Sequence, residues 1–196
     1  MLIAKARRTL STKLTISKET GLRPFELCNL KVKDVDLDRK VIYPTTAKNG
    51  SARTLKISNS LKMMLQNHIS KHKLSLNDKL FKGTAENYGK YYRQMRNNLA
   101  EKLGKPALKT VRLYDFRHYY ATRLYAKTRD ILYVKQQLGH KKIETTLKYV
   151  QLLSLNEDDE YTCKSATNIK EATQLIENGF EYVAEKDGTM LFRKRK

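Results

Sequence analysis

Residues 114–149 read YDFRHYYATRLYAKTRDILYVKQQLGHKKIETTLKY, and this stretch decides how the rest of the chain is interpreted. Arg117 and His118 are adjacent in it, His140 follows a glycine, and Tyr149 ends it after a Thr-Thr pair. Arginine binds phosphate oxygens through paired donors and keeps its charge at any physiological pH. In a chain as basic as this one, these side chains favour phosphate chemistry over simple packing.

The same stretch predicts three helices. They run from about Tyr114 to Ala126, from Asp130 to Leu138 and over residues 143–153. Aspartate is a favourable helix N-cap, and glycine is the common residue just past a helix end. Gly139 therefore ends the second helix and exposes His140.

A further arginine lies upstream, at a bend between two predicted helices. Gly21 ends a helix over residues 5–20, and Pro24 begins another at about 24–30, because proline is favoured at the first helical position. Arg23 lies in the tight Gly-Leu-Arg-Pro bend between them. We therefore expect its side chain to point inward rather than along a solvated face.

A hairpin is predicted between these two regions. Lys40–Tyr43 and Arg53–Ile57 alternate like strands, and Lys48-Asn49-Gly50 lies between them. Asn-Gly is the strongest short-range hairpin signal. The prediction places Lys48 at the hairpin tip, free to reach a ligand.

Two more helices and a tail module complete the prediction. The remaining elements are helices from about Ser58 to Lys71 and from Thr84 to Leu103, an acidic linker at Asn156–Glu160, a strand at Tyr161–Ser165, a helix at Ile169–Asn178, and a hairpin over residues 180–193. The expected fold class is α+β, mainly α-helical, with a small antiparallel sheet. We expect a catalytic domain over residues 1–155 and a β-α-β-β module over 156–196.

The net charge indicates the kind of partner, and the cysteines indicate the cellular compartment. The 196 residues carry a formal net charge of +20, which favours a polyanionic partner, with nucleic acid first. A ribosomal or RNA-binding protein would show the same total. Cys28 and Cys163 are far apart and have no metal-like spacing, so we expect a reduced, cytoplasmic protein. When bound to DNA, it would be associated with the nucleoid. No membrane span or signal peptide is predicted.

Attack of a tyrosine hydroxyl on a phosphodiester would use these residue types. Arg23 and Arg117, on separate elements, can hold both non-bridging oxygens, and His140 can add a third donor. Lys48 can give a proton to the leaving 5′-oxygen. Tyr149 can form the phosphoester, and we expect the surrounding cations to lower its pKa from about 10. No metal or other cofactor is required, since the arginines supply the charge that a metal would.

Residues from Thr20 to Leu153 resemble the tyrosine recombinase family, the phage-type integrases. TGLRPFEL, residues 20–27, resembles the first arginine motif of the family, and Lys48-Asn49-Gly50 with Arg53 resembles its lysine hairpin. YDFRH, residues 114–118, resembles the motif that usually reads His-x-x-Arg-His. Leu138-Gly139-His140 and TTLKY, residues 145–149, resemble the last histidine and the nucleophile motif. The four motifs in this order are a specific signal, whereas any one of them alone would be weak.

The resemblance implies roles for individual residues. Arg23, Lys48, Arg117, His140 and Tyr149 match the family's catalytic positions. Two more, Glu26 and His118, match positions that orient the arginines.

Tyr114 departs from the pattern, because most members have a histidine there. A phenol is a poor base at neutral pH but a fair hydrogen-bond donor, so we expect Tyr114 to hold phosphate or to relay a proton weakly. Some archaeal plasmid and virus integrases look similar at this position.

The resemblance also implies a mechanism and partners. Each protomer would cut one strand of double-stranded DNA, forming a 3′-phosphotyrosyl link and a free 5′-hydroxyl, and a partner strand would reverse the reaction. Four protomers would act together as a homo-oligomer on two DNA sites. Family members also carry an N-terminal core-binding domain. We expect none before Arg23 and therefore weak DNA binding by this chain alone.

Each assignment has a plainer alternative. Arg23 would be a surface arginine, Lys48 a turn residue, His118 a packed histidine, His140 a helix-end residue and Tyr149 a core residue. For the whole chain, one alternative is a DNA-binding protein of the same fold without catalysis. The other is a type IB topoisomerase-like enzyme that relaxes supercoils without a preferred site.

Overall fold

The computed structural model describes residues 1–45, 52–154, 161–186 and 188–195. The chain divides into two compact units, Met1–Leu153 and Ser154–Lys196. Lys48 and the predicted Asn-Gly turn lie outside the described residues, as does the acidic linker predicted at Asn156–Glu160.

Helices dominate the first unit. They are α1 (Leu2–Lys5), α2 (Arg8–Thr20), α3 (Pro24–Asn29), α4 (Asn59–His72), α5 (Ala85–Lys102), α6 (Asp115–Thr128), α7 (Ile131–Leu138) and α8 (Glu144–Ser154), with short 3₁₀ turns at Val32–Asp34 and Pro106–Thr110. Side-chain caps explain several of the starts. Ser58 accepts from the Leu61 N–H at 3.1 Å, and Asp130 accepts from the Tyr133 N–H at 2.9 Å.

The single helix predicted over residues 5–20 was wrong. Ala6 and Arg7 are extended, so the chain forms α1 and then α2. The break lets Ile3 and Leu10 both pack against the main core. Tertiary packing thus outweighs the helical propensity of this segment.

The predicted strand pair is present but shorter, and a third strand joins it. The sheet is antiparallel in the order β1 (Val35–Asp36), β2 (Val41–Ile42), β3 (Leu55–Lys56). Ile42 lies opposite Leu55, and both side chains are fully buried. Because a slip of one residue would expose both, burial fixes the register.

Two apolar clusters form the interior of the first unit. The larger one joins α2, α3, the sheet, α4 and α5, and includes Leu14, Leu27, Leu61 and Tyr88. The smaller one lies among α6, α7 and α8, and consists of Ala121, Val134, Leu138 and Tyr149, with partly buried neighbours.

The second unit has the β-α-β-β order that the sequence predicted. Its elements are β4 (Tyr161–Ala166), α9 (Ile169–Glu177), β5 (Glu181–Lys186) and β6 (Thr189–Arg195), with antiparallel sheet order β4-β6-β5. Its core is small, built around Ala166, Ala172 and Phe192.

The mainly helical α+β fold class is confirmed. Within the described ranges, no helix is both long and apolar enough to span a membrane.

Candidate active site

Arg117 is the buried centre of the site. It projects from the first turns of α6 with only 2% of its surface exposed. Its Nη1 donates to the Gly21 carbonyl at 2.6 Å, and its Nη2 donates to the Leu138 carbonyl at 2.6 Å. Burial, and then the charge of Arg23, lower the pKa of Arg117 to about 10. The guanidinium is therefore cationic at neutral pH and joins the ends of α2 and α7.

Two glycines allow the backbone to approach the arginines closely. Gly21 and Gly139 both have left-handed backbone, with φ of 63° and 64°. A Cβ on Gly21 would lie 2.5 Å from the Tyr120 ring, and one on Gly139 would lie 2.7 Å from Nη1 of Arg53. Any side chain at either position would therefore be strained by conformation and by contact.

Glu26 ties two arginines together. Its buried carboxylate accepts from the Arg23 backbone N–H at 2.9 Å, from Nη1 of Arg23 at 3.3 Å, and from Nη2 of Arg53 at 2.8 Å. Burial raises the pKa of Glu26, but the hydrogen bonds and charges of Arg53 and Arg23 outweigh burial and leave the pKa below its usual value. Glu26 is thus ionised, and its carboxylate holds the side chains of Arg23 and Arg53.

Arg53 is a site residue that sequence reasoning did not select. Its side chain is fully buried, and its Nε and Nη1 have no hydrogen-bond partner among the described residues. A signal for it existed in the alternation of this segment. Arg53, Leu55 and Ile57 are all buried, while the residues between them are exposed. A buried arginine needs a carboxylate partner, and here that partner is Glu26.

His140 contacts Arg117 directly. Its Nε2 lies 3.0 Å from Nη2 of Arg117, and its Nδ1 lies 3.0 Å from Oγ1 of Thr146. A guanidinium has no acceptor, so Nε2 must accept and the neutral ring carries its proton on Nδ1. Burial, followed by the charge of Arg117, lowers the pKa of His140 to about 4, which agrees with a neutral ring.

The expected donor role of His140 therefore needs correction. In this arrangement its Nε2 accepts from Arg117 and has no proton to offer to phosphate. Thr146 is fully buried and holds the other ring nitrogen. The sequence placed His140 in the site but did not reveal this pairing, which depends on the packing of α6 against α7 and α8.

Tyr149 lies in the same pocket with no accessible surface. Its hydroxyl has no hydrogen-bond partner in the part of the chain that the structure describes. Nearby cations act on its pKa in the expected direction, but the expected net lowering was wrong. Burial raises the pKa of Tyr149 above its usual value, and the charge of Arg117 offsets only part of that effect.

Tyr114, His118 and Tyr149 form a chain of ring contacts. The Tyr114 and His118 centroids are 4.9 Å apart, edge to face, and the His118 and Tyr149 centroids are 5.6 Å apart. Tyr114 is the N-cap of α6 and is 40% exposed. The Nδ1 of His118 is buried without a partner. His118 therefore contacts the two tyrosines rather than orienting an arginine through a hydrogen bond.

The site brings together seven of the eight residues singled out from the sequence. Lys48, the eighth, lies outside the described residues. Among the residues that the structure describes, no group of three or more His, Cys, Asp and Glu side chains could hold a metal ion.

Buried polar atoms without partners are concentrated at this one place. In the described part of the chain they are Nε and Nη1 of Arg53, Nε of Arg117, Nδ1 of His118 and the Tyr149 hydroxyl. Leaving a buried polar group unpaired costs about 1–3 kcal/mol. Most of these atoms belong to cationic donors, so the arrangement suits an anionic ligand that accepts hydrogen bonds.

Comparison with known proteins agrees with this geometry. Residues 3–155 match the model of the phage integrase family. The chain is 32% identical over 143 residues to the tyrosine recombinase XerA of Saccharolobus solfataricus, across 73% of this chain and 46% of that protein. The chain spans about half the length of the curated relatives it matches.

Two solved structures share the fold. The crystal structure of XerA recombinase matches with a TM-score of 0.65 and 24% identity, over 81% of this chain and 61% of that one. The Tn1549 transposon integrase in complex with transposon right end DNA matches with a TM-score of 0.65 and 19% identity, over 91% of this chain and 62% of that one. At these identities the likeness establishes the fold alone.

Proposed function

The chain belongs to the phage integrase family, and from that premise we propose that it is a site-specific DNA recombinase. It cleaves and rejoins DNA strands, with Tyr149 forming a covalent 3′-phosphotyrosyl intermediate. Bond energy is conserved in such an exchange, so the reaction needs no nucleotide cofactor and no metal. This is the activity that best explains a buried phenol beside three arginines.

The concentration of unpaired donors supports this proposal most directly. The Nε of Arg117 and the Nε and Nη1 of Arg53 are buried and lack partners, and Arg23 is partly exposed at the same place. A phosphorane transition state gains negative charge on its non-bridging oxygens. Arg23 and Arg117 bind those oxygens, and Arg53 with Glu26 holds Arg23 in position.

The remaining roles follow from the chemistry of each side chain. Lys48 protonates the leaving 5′-oxygen. His140 holds Arg117, and Thr146 fixes the His140 tautomer. The exposed phenol of Tyr114 donates a hydrogen bond to the phosphate from the mouth of the site.

Double-stranded DNA is the proposed partner. Residues 1–153 contain 33 Lys and Arg against 11 Asp and Glu, a formal net charge of +22. A field of this sign attracts the phosphate backbone at long range. The Tn1549 integrase was solved with transposon DNA, which agrees with this partner. Exchange between two DNA sites requires four active tyrosines, so a tetramer on paired sites is part of the proposal.

The test is the capture of a covalent adduct. The protein is incubated with a library of nicked duplexes of random sequence, whose short cleaved fragment diffuses away and traps the intermediate. A denaturing gel then separates DNA-linked protein, and the linked DNA is sequenced. We expect an adduct that Tyr149→Phe abolishes, with one enriched sequence.

A matched control tests whether the loss of the adduct is specific to Tyr149. Tyr133→Phe removes the hydroxyl of a partly exposed tyrosine on α7 and should leave the adduct yield unchanged. An adduct without sequence enrichment would instead indicate a topoisomerase-like enzyme. DNA retention by folded protein with no adduct would indicate a DNA-binding protein without catalysis.

A further inference from the structure

Two buried polar atoms in the site lack hydrogen-bond partners among the described residues. They are the Tyr149 hydroxyl, which can donate, and Nδ1 of the adjacent His118 ring, which can accept. The two ring centroids are 5.6 Å apart and the rings are tilted by 53°. A hydrogen bond from the hydroxyl to the imidazole, direct or through one water, would satisfy both atoms.

The nucleophile needs a proton acceptor. Burial raises the pKa of Tyr149, so its hydroxyl does not ionise by itself near neutral pH. The attacking phenol must therefore lose its proton to a neighbouring group as it attacks phosphorus.

Other neighbours are poorly suited to accept that proton. Tyr114 is itself a phenol, and a neutral phenol is a very weak base. The Nε2 of His140 already accepts from Arg117, and its Nδ1 is bonded to Thr146. Arginine has no acceptor at all. Among the described neighbours, His118 has an imidazole nitrogen without a hydrogen-bond partner and a ring in contact with that of the nucleophile.

We propose that His118 is the general base that deprotonates Tyr149 during strand cleavage. This inference rests on the proposed recombinase function. It assigns to the histidine after Arg117 the proton transfer that Tyr114 cannot perform, and it gives the otherwise unexplained buried Nδ1 a purpose.

The proposed step balances without any external reagent. The Tyr149 oxygen forms a bond to phosphorus while its proton passes to the imidazole of His118. The bond from phosphorus to the 5′-oxygen breaks, and that oxygen takes a proton from the general acid. On rejoining, a 5′-hydroxyl attacks phosphorus and gives its proton to the conjugate base of the general acid, while the imidazolium returns its proton to the departing Tyr149 oxygen.

The surroundings of His118 keep its imidazole in the neutral form, which can accept a proton. Burial, followed by the charge of Lys148, lowers the pKa of His118, while the carboxylate of Asp115 opposes them. The ring also faces Tyr114 and Tyr149 and is close to the charges of Arg112 and Arg117. The imidazole is consequently neutral at neutral pH, which is the form that accepts a proton.

The first test separates proton transfer from packing. His118→Phe keeps an aromatic ring between Tyr114 and Tyr149 but removes the proton acceptor. We expect the single-turnover rate of adduct formation to fall by about 10²-fold or more, the usual contribution of a general base. His72→Phe, on an exposed histidine of α4, is the matched control and should keep the wild-type rate. A His118→Phe rate within threefold of wild type would overturn the proposal.

The second test identifies which proton is moved. The selected duplex is made with sulfur in place of the bridging 5′-oxygen, and a thiolate leaves without protonation because its pKa is only about 8.5. A base defect persists on this duplex, whereas loss of the general acid is rescued by it. Full rescue of His118→Phe by sulfur would show that His118 serves the leaving group and would overturn the assignment.

A third measurement distinguishes loss of the base from misfolding of the variant. His118→Gly, checked by thermal unfolding, is supplied with free imidazole, and we expect recovery of at least tenfold that rises with imidazole concentration. No recovery in a folded variant counts against a base. Absence of an adduct from wild-type protein itself would overturn the recombinase proposal, an outcome distinct from any loss confined to His118.

Discussion

The two units of this chain differ most in how they use charge. Residues 1–153 have a formal net charge of +22, whereas residues 154–196 contain seven basic and nine acidic residues, a net charge of −2. Most buried polar and charged residues lie in the first unit, including Glu26, Arg53 and Arg117. Both units expose apolar side chains, and in the small second unit these include Ile169, which is 82% exposed, and Ile176.

The first unit is therefore suited to binding polyanions, and the second unit is suited to binding protein. Strong positive potential and buried arginines suit a phosphate backbone. A weakly acidic module with exposed apolar residues is better suited to protein than to DNA. We therefore propose that residues 156–196 form a separate module that docks on an adjacent protomer.

The largest effect should follow from removing the central cation of the first unit. Arg117→Ala deletes a donor to phosphate and leaves the Gly21 and Leu138 carbonyls without their partner. We expect the cleavage rate to fall by about 10³-fold, the scale of losing a preorganised charge donor. Lys170→Ala, on the exposed α9, should change it less than about twofold, because surface charges act weakly. Single-turnover adduct formation measures both.

The next largest effect should come from breaking a buried ion pair, and it is compared with breaking an exposed one. Arg53→Leu leaves the Glu26 carboxylate buried with one charge partner fewer, and breaking a buried pair costs about 3–5 kcal/mol of unfolding free energy. Arg193→Leu removes a half-exposed cation that lies 3.8 Å from the exposed Glu181, and about 0–1 kcal/mol is expected. Urea unfolding measures both. Adding Glu26→Gln to Arg53→Leu should restore part of the loss, and equal losses in the two single variants would contradict the contrast.

Acid should destabilise the first unit through His140. Its pKa is about 4 when folded and about 6.5 when unfolded. Between these values the unfolded chain binds a proton that the folded chain does not, so stability is lost as the pH falls from 6.5 toward 4. Between pH 7 and pH 5 this histidine should account for about 2 kcal/mol. His140→Gln should show that much less pH dependence than wild type.

The smallest effect on DNA binding should come from deleting the second unit. Without residues 156–196, we expect the dissociation constant for duplex DNA to change less than about threefold, with an unchanged slope against salt, because few cations are lost. Assembly of protomers on DNA should decrease, as chemical crosslinking would show. A tenfold loss of affinity would mean that the second unit contacts DNA, and unchanged assembly would count against docking.

Local sequence signals predicted much of the fold. The capping residues Ser58, Thr84 and Asp130, and the glycines after α2 and α7, give helix ends that depend on a few neighbouring residues. Alternation placed β2 and β3. The break between α1 and α2 was not predictable in this way, because it depends on how Ile3 and Leu10 meet a distant core.

The sequence predicted which residues come together, but not their electrostatics. Arg23, Arg117, His140 and Tyr149 were recognisable from motif order. The direction of the Tyr149 pKa shift was not, because it depends on burial by α6 and α7, which no local pattern encodes. Arg53 was missed for a related reason, since its importance lies in the long-range pair with Glu26.

The Glu26 bridge makes the position of Arg23 depend on a distant segment of the chain. One carboxylate holds both the bend that carries Arg23 and the segment before β3 that carries Arg53, which are far apart in sequence. A shift of the segment at Arg53 would therefore change where Arg23 points. In the proposed recombinase, bound DNA that shifted this segment would thereby alter the position of an arginine that binds phosphate.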